Sequence, residues 1–227
     1  VRQADGTLSF ERLPWADRKV GDLDSCPFPS FVGRTMNDIF FHRNRLGFAS
    51  DENVIFSRAG DFFNFFRSSA TQVLDTDPID VAVSHTKVSI IRHAIPWNET
   101  LLLFSDQTQF QLSAGDLLTP ATISINQTTE FQASLLAKPV GAGRNVYFAV
   151  NRGVFSGVRE YYVDGDTKTN DAADITSHVP HYVPGGVTKL AASSNEDVLV
   201  ALSPQKPNEV YVYKYFWEEL EKLQSSW

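Results

Sequence analysis

The sequence predicts an all-β fold, a β-propeller-like body of about four antiparallel blades. Three observations carry that expectation. Apolar runs of strand length recur in pairs around a polar turn, beginning near Phe40, Leu101, Val146 and Val198. A strand pair every 45–60 residues or so, with further strand-like sequence between, approaches the roughly 40–50-residue period of propeller blades. Helical periodicity is weak throughout. An ordinary β-sandwich with irregular hairpins is the competing reading.

Residues 1–36 read as an opening segment. Residues 6–13 alternate apolar and polar, as a short half-buried strand does. Pro14 and Trp15 interrupt it, and Pro27, Pro29 and Gly33 then forbid a regular element. From residue 37 to 227 the chain reads as the propeller-like domain. Its organising stretch holds two apolar runs, residues 46–49 and 54–57, around the turn Ser50, Asp51, Glu52 and Asn53. The later hairpins, at residues 101–113, 146–156 and 198–213, turn on Ser-Asp, Asn-Arg-Gly and a Pro/Asn sequence, all good turn chemistry. Residues 79–84, 88–97, 121–125, 130–133 and 187–191 each support one more short strand. Residues 68–73 suit a turn of helix. Residues 216–227 stay open: propensity favours a helix, whereas blade logic favours a turn at 218–221 and a closing strand ending at Trp227.

A chain of 227 residues suits one or two domains and buries a sizeable core, with a radius of gyration of roughly 17 Å if compact. The 42% hydrophobic and 21% charged fractions are those of a globular protein, and 17 Phe, 7 Tyr and 4 Trp make the core aromatic. The net charge of −7 suits DNA phosphates poorly, because binding them requires Lys and Arg to displace counterions. It suits the wall of a passage that DNA must not stick to. The single cysteine, Cys26, closes no intrachain disulfide, which points to synthesis in a reducing cytoplasm. No run of 18 apolar residues exists, so no membrane span is expected. The chain opens on Val1 and its one methionine is Met36, so it is expected to start inside a longer gene product, and no targeting signal is read from its N-terminus.

Residues 31–66 read FVGRTMNDIFFHRNRLGFASDENVIFSRAGDFFNFF. This stretch resembles the tail nozzle proteins, or tail tubular proteins B, of T7-like short-tailed bacteriophages. The resemblance continues through LTPATISI at 118–125, KPV at 138–140, NVYF at 145–148, DIT at 174–176, HVPH at 178–181, EVYVYK at 209–214 and QSSW at 224–227. It implies a structural virion protein that forms a ring of like copies below an adaptor of the tail tubular protein A kind. It also implies a channel for DNA ejection, with DNA only as passing cargo, and seating of tail fibres. Nozzles of that family include a propeller-like domain and carry no catalytic residues. The family protein is much longer than this chain.

The candidate chemistry is sparse, and no catalytic, cofactor-binding or metal-binding residue is expected. Asp174, His178 and His181 lie at i, i+4 and i+7, but zinc needs converging ligands and Pro180 breaks any helix that would align them; a loop of polar caps is the simpler reading. His42, His85 and His93 stand without a visible partner for base chemistry. The run from Asp164 to Asp171 begins like a calcium loop but carries Lys168 and Thr169 at its fifth and sixth positions; an exposed hairpin tip is expected. Asp75, Asp77 and Asp80 offer a carboxylate pair for glycoside hydrolysis, and Trp15, Trp97, Trp217 and Trp227 offer stacking for sugars. These define the alternative function, a glycan-binding or glycan-cleaving propeller at the host surface. Cys26 lacks an activating neighbour. Asn98 to Thr100 and Asn126 to Thr128 match glycosylation sequons that mean nothing in a protein made by a bacterium. Arg43, Arg45 and Arg58 are expected to pair with Asp51, Glu52 and Asp61 across the signature turn, at roughly 0.2–1 kcal/mol each, or with a neighbouring subunit.

Overall fold

The computed structural model describes residues 2–165, 167–218 and 221–227. Among them there is no helix, and sixteen strands form four four-stranded antiparallel sheets. The first sheet is β1 (Met36–His42), β2 (Arg45–Ser50), β3 (Asn53–Phe56) and β4 (Ile79–Ala82). The second is β5 (His93–Trp97), β6 (Thr100–Phe104), β7 (Gln109–Ser113) and β8 (Ser124–Thr129). The third is β9 (Val140–Ala142), β10 (Asn145–Arg152), β11 (Phe155–Val163) and β12 (Asn170–Asp174). The fourth is β13 (Lys189–Ser193), β14 (Val198–Leu202), β15 (Tyr211–Glu218) and β16 (Glu221–Ser226). Each sheet is a meander, its strands neighbouring one another in chain order.

The hairpins form where backbone chemistry lets them. Arg43 and Asn44 both have positive φ, 45° and 59°, the two-residue geometry that matches strand twist, and they leave His42 paired with Arg45. Opposite Phe40 lies Gly47, where an added Cβ would fall 2.1 Å from the Phe40 ring. The missing side chain is what lets that ring lie across β2 and meet Phe56 edge-on at 5.5 Å.

A single four-stranded sheet cannot bury both faces, so the sheets stack. The first strand of each lies beside the first strand of the next: β1 by β5, β5 by β9 and β9 by β13. One core joins sheets one and two through Phe40, Phe56, Ile79, Leu101, Leu103 and Phe110. A second joins sheets two and three through Trp97, Leu102, Phe104, Phe148 and Tyr161. A third joins sheets three and four through Tyr147, Val158, Leu199, Tyr211, Tyr213 and Tyr215. No core cluster of the described residues joins sheet four back to sheet one. The outer face of sheet one is covered by the chain itself: Trp15 and Phe31 from the opening segment meet Phe48 and Phe65 at ring distances of 5.2–6.2 Å.

Several expectations need correction. Residues 6–13 form no strand beyond one bridge from Arg2 to Leu8; no sheet edge lies beside them, and Phe10 is 92% exposed. Residues 68–73 form no helical turn, because the Asp77 carboxylate takes the amides of Ser68 and Leu74 for itself. Residues 130–133 hold no strand, and the strands expected from 88, 121 and 187 begin at 93, 124 and 189. Strands β9 and β12 were not foreseen. Of the stretch 216–227, left open between helix and closing strand, residues 216–218 and 221–226 are strand; of the turn expected at 218–221, residues 219 and 220 lie outside the described residues.

Candidate functional site

The side chains singled out in the sequence are distributed over all four sheets. Arg45 is the most informative. Its side chain is 1% exposed, and it donates to four main-chain carbonyls: Ser57 at 2.8 Å, Asp77 at 2.7 Å, Asp75 at 2.7 Å and Leu118 at 3.1 Å. The first three lie in sheet one and its long β3–β4 loop, the last in the β7–β8 loop of sheet two. Burial lowers its pKa, and the nearby Asp77 charge opposes that shift. A planar fork of donors suits this task, since each terminal nitrogen serves two acceptors.

Arg43 makes the same kind of link at the hairpin tip, donating to the carbonyls of Gly115 at 2.7 Å and Glu99 at 3.0 Å in sheet two. The expected pairing of Arg43, Arg45 and Arg58 with Asp51, Glu52 and Asp61 is therefore overturned for the two whose side-chain partners are resolved. Asp51 instead pairs with Arg34 at 3.3 Å, Glu52 accepts the Ser89 amide at 2.8 Å, and Asp61 meets Arg58 through a main-chain bridge. The reason is register: Arg43 and Arg45 flank the β1–β2 turn, whereas Asp51 and Glu52 sit at the opposite end of β2.

Where the first strands of successive sheets meet, Asp38 of β1 accepts the amide of Ala94 in β5 at 2.8 Å and the ammonium of Lys138, which precedes β9, at 2.7 Å. One carboxylate thus ties three sheets. His93 beside it is pushed below its ordinary pKa by burial, against the hydrogen bond between its Nε2 and the Leu135 carbonyl. His42 is lowered by burial and then by the charge of Arg43.

Two of the three carboxylates considered for sugar chemistry, those of Asp77 and Asp80, are committed elsewhere. Asp77 is fully buried and accepts from Ser68 N at 3.1 Å, Ser68 Oγ at 2.8 Å and Leu74 N at 2.9 Å. Burial is the largest single influence on it and pushes its pKa up, but the three hydrogen bonds and the Arg58 charge outweigh it, so the net shift is down. Asp80 accepts from Ser30 N and Asn53 Nδ2. Asp75 gives its carbonyl to Arg45. The tryptophans are dispersed: Trp15 lies on the outer face of sheet one, Trp97 donates to Arg144 O between sheets two and three, Trp217 faces Lys222, and Trp227 donates to Ile175 O.

Asp174 pairs with Arg152 and caps Thr176, and the His181 ring lies tilted against Phe155 at 5.0 Å. His85 faces Glu130 at 3.5 Å. Among the described residues no group of three or more His, Cys, Asp and Glu could hold a metal ion. The hairpin tip at 164–171 is closed by Thr167 donating to Asp164, and its Asp166 lies outside the described residues. Asn98, with φ of 51°, serves the β5–β6 turn, Asn126 lies on β8, and Cys26 is buried. Two polar groups escaped sequence reasoning, the Asp38–Lys138 tie and a pair formed by Glu160 and Lys222. Partners 100 and 62 residues apart leave no local signal.

The arrangement is that of an all-β structural block, whose polar side chains close turns and join sheets. The chain belongs to the bacteriophage nozzle protein family, whose profile matches residues 1–227. It is 45% identical over 228 residues to tail tubular protein gp12 of Escherichia phage T7, covering all of this chain and 29% of that relative. The chain therefore spans less than a third of the curated relative it matches. Membership places it among the structural proteins of the virion tail. The N-terminal domain of Chaetomium thermophilum Nup170, solved with Nup53, is similar in fold alone, with a TM-score of 0.52 at 10% identity over 87% of this chain and 30% of that one. No helix of the described residues is long and apolar enough to cross a membrane.

Proposed function

We propose that the chain is the blade-bearing part of a phage tail nozzle subunit. An opening segment, residues 1–36, leads into a body of residues 37–227 whose four sheets stand as propeller blades around the innermost strands. The body carries no catalytic, cofactor or metal site. Its work is assembly: the stacked sheets give a rigid unit, exposed loops contact like copies to build a ring, and the ring meets a tail tubular protein A-like adaptor and the tail fibres. DNA passes through the assembled lumen without being read. The observation that carries this reading is the family match across the whole chain. The net charge of −7 agrees with it, because a passage wall must not retain phosphate. A mobility-shift titration of the full-length polypeptide with duplex DNA tests it. No retained complex is expected at physiological salt; tight, salt-sensitive binding contradicts it.

A further inference from the structure

The outermost strand of the fourth sheet is held differently from its counterparts. β4 anchors itself through buried Ile79 and β12 through buried Ala172, while β8 packs Ile125 against the core of sheets one and two. β16 has no buried apolar side chain among its described residues: Leu223 is 51% exposed, and Gln224, Ser225 and Ser226 are exposed too. Its pairing with β15 shifts register between Phe216 and Trp217. Two groups reach from this end of the chain to sheet three. Lys222 pairs with Glu160 of β11, and Trp227, just beyond the strand, donates to the Ile175 carbonyl at 2.9 Å.

The Glu160 carboxylate is built to receive that ammonium. Its side chain is 5% exposed, and it already accepts from Asn145 Nδ2 at 2.8 Å and Tyr147 OH at 2.7 Å. Lys222 in turn lies over the rings of Tyr213, Tyr215 and Trp217 at 5.8, 5.9 and 5.0 Å, faces that favour a cation. Removing one member of such a pair leaves a buried charge uncompensated, whereas neutralising both does not.

We propose that β16 is an ion-latched strap: the Lys222–Glu160 pair fastens it across the junction of sheets three and four, and loss of the pair frees it. Release uncovers the outer edge of β15 and the tyrosine cluster beneath, a strand edge open to new pairing.

Hydrogen exchange on the full-length polypeptide tests this, comparing Lys222→Met, Glu160→Gln and the double variant with the parent. Each single variant is expected to raise exchange of β16 and the β15 edge roughly tenfold or more, with β1–β11 unchanged. The double variant is expected to recover most of the protection. Unchanged exchange, a uniform rise across all four sheets, a β16 already unprotected in the parent, or a double variant no better than the worse single each overturns the proposal. Lys222→Arg keeps the cation and covers single variants that fail to fold. Its β16 is expected to stay close to the parent's protection, and an arginine variant as unprotected as Lys222→Met overturns the strap.

Discussion

Replacing Arg45 by methionine is the sharpest perturbation of the stacked-sheet account. Methionine fills much of the same volume but leaves the carbonyls of Ser57, Asp75, Asp77 and Leu118 without their donor. Each buried acceptor left unmet costs ~1–3 kcal/mol. Those costs do not add in full, because water and small shifts recover part of them, so a loss of about 3–5 kcal/mol is expected. Natural domains have only about 5–15 kcal/mol in total. Urea denaturation of the 227-residue chain reads the effect: with m near ~3 kcal/mol/M, the midpoint falls by about 1 M or more. Arg45→Lys keeps the charge but not the fork and is expected to lose about half as much. The Leu118 bond ties two sheets, so exchange at residues 117–123 is expected to rise in both variants. A methionine variant within about 1 kcal/mol of the parent, or a lysine variant equal to it, refutes the reasoning.

Gly47→Ala places a Cβ 2.1 Å from the Phe40 ring, which is itself wedged against Phe56; a loss of about 1–3 kcal/mol in chemical denaturation is expected. Asp77 is held below the ordinary carboxylate range, so its stabilisation is present above its unfolded pKa and lost as pH falls through the folded one. Asp77→Asn is therefore expected to be less stable near pH 7 and to show a flatter acid limb. His42 is held below the ordinary histidine range by burial, so the folded state prefers it neutral and stability falls as pH drops below about 6.5. His42→Phe is expected to remove that part of the slope between pH 7 and 5.

The paired strands β2–β3, β6–β7, β10–β11 and β14–β15 were legible because apolar residues flank turn chemistry, which is local information. Strands β9 and β12 were not. Val140–Ala142 is three residues beside Gly143, and Asn170–Asp174 is polar with poor strand propensity. Both exist because β10 and β11 offer them an edge. The converse holds for residues 6–13, whose alternation found no edge to join. The arginines of the signature hairpin were visible, but the reading of them as ion pairs across the turn failed because register carried Arg45 into the sheet junction and its acceptors are carbonyls, which no sequence spells. The Glu160–Lys222 pair needs the third and fourth sheets stacked before it exists at all.

The most direct test of the central claim is a near-atomic density map of the intact virion tail. Each nozzle subunit is expected to show four consecutive four-stranded antiparallel sheets for these residues, sheet stacked on sheet, with the Arg45 guanidinium density reaching the Leu118 loop, and like subunits arranged in a ring. Density that threads these residues as helices, separates the sheets from one another, or holds no copy of the chain in the tail contradicts the account.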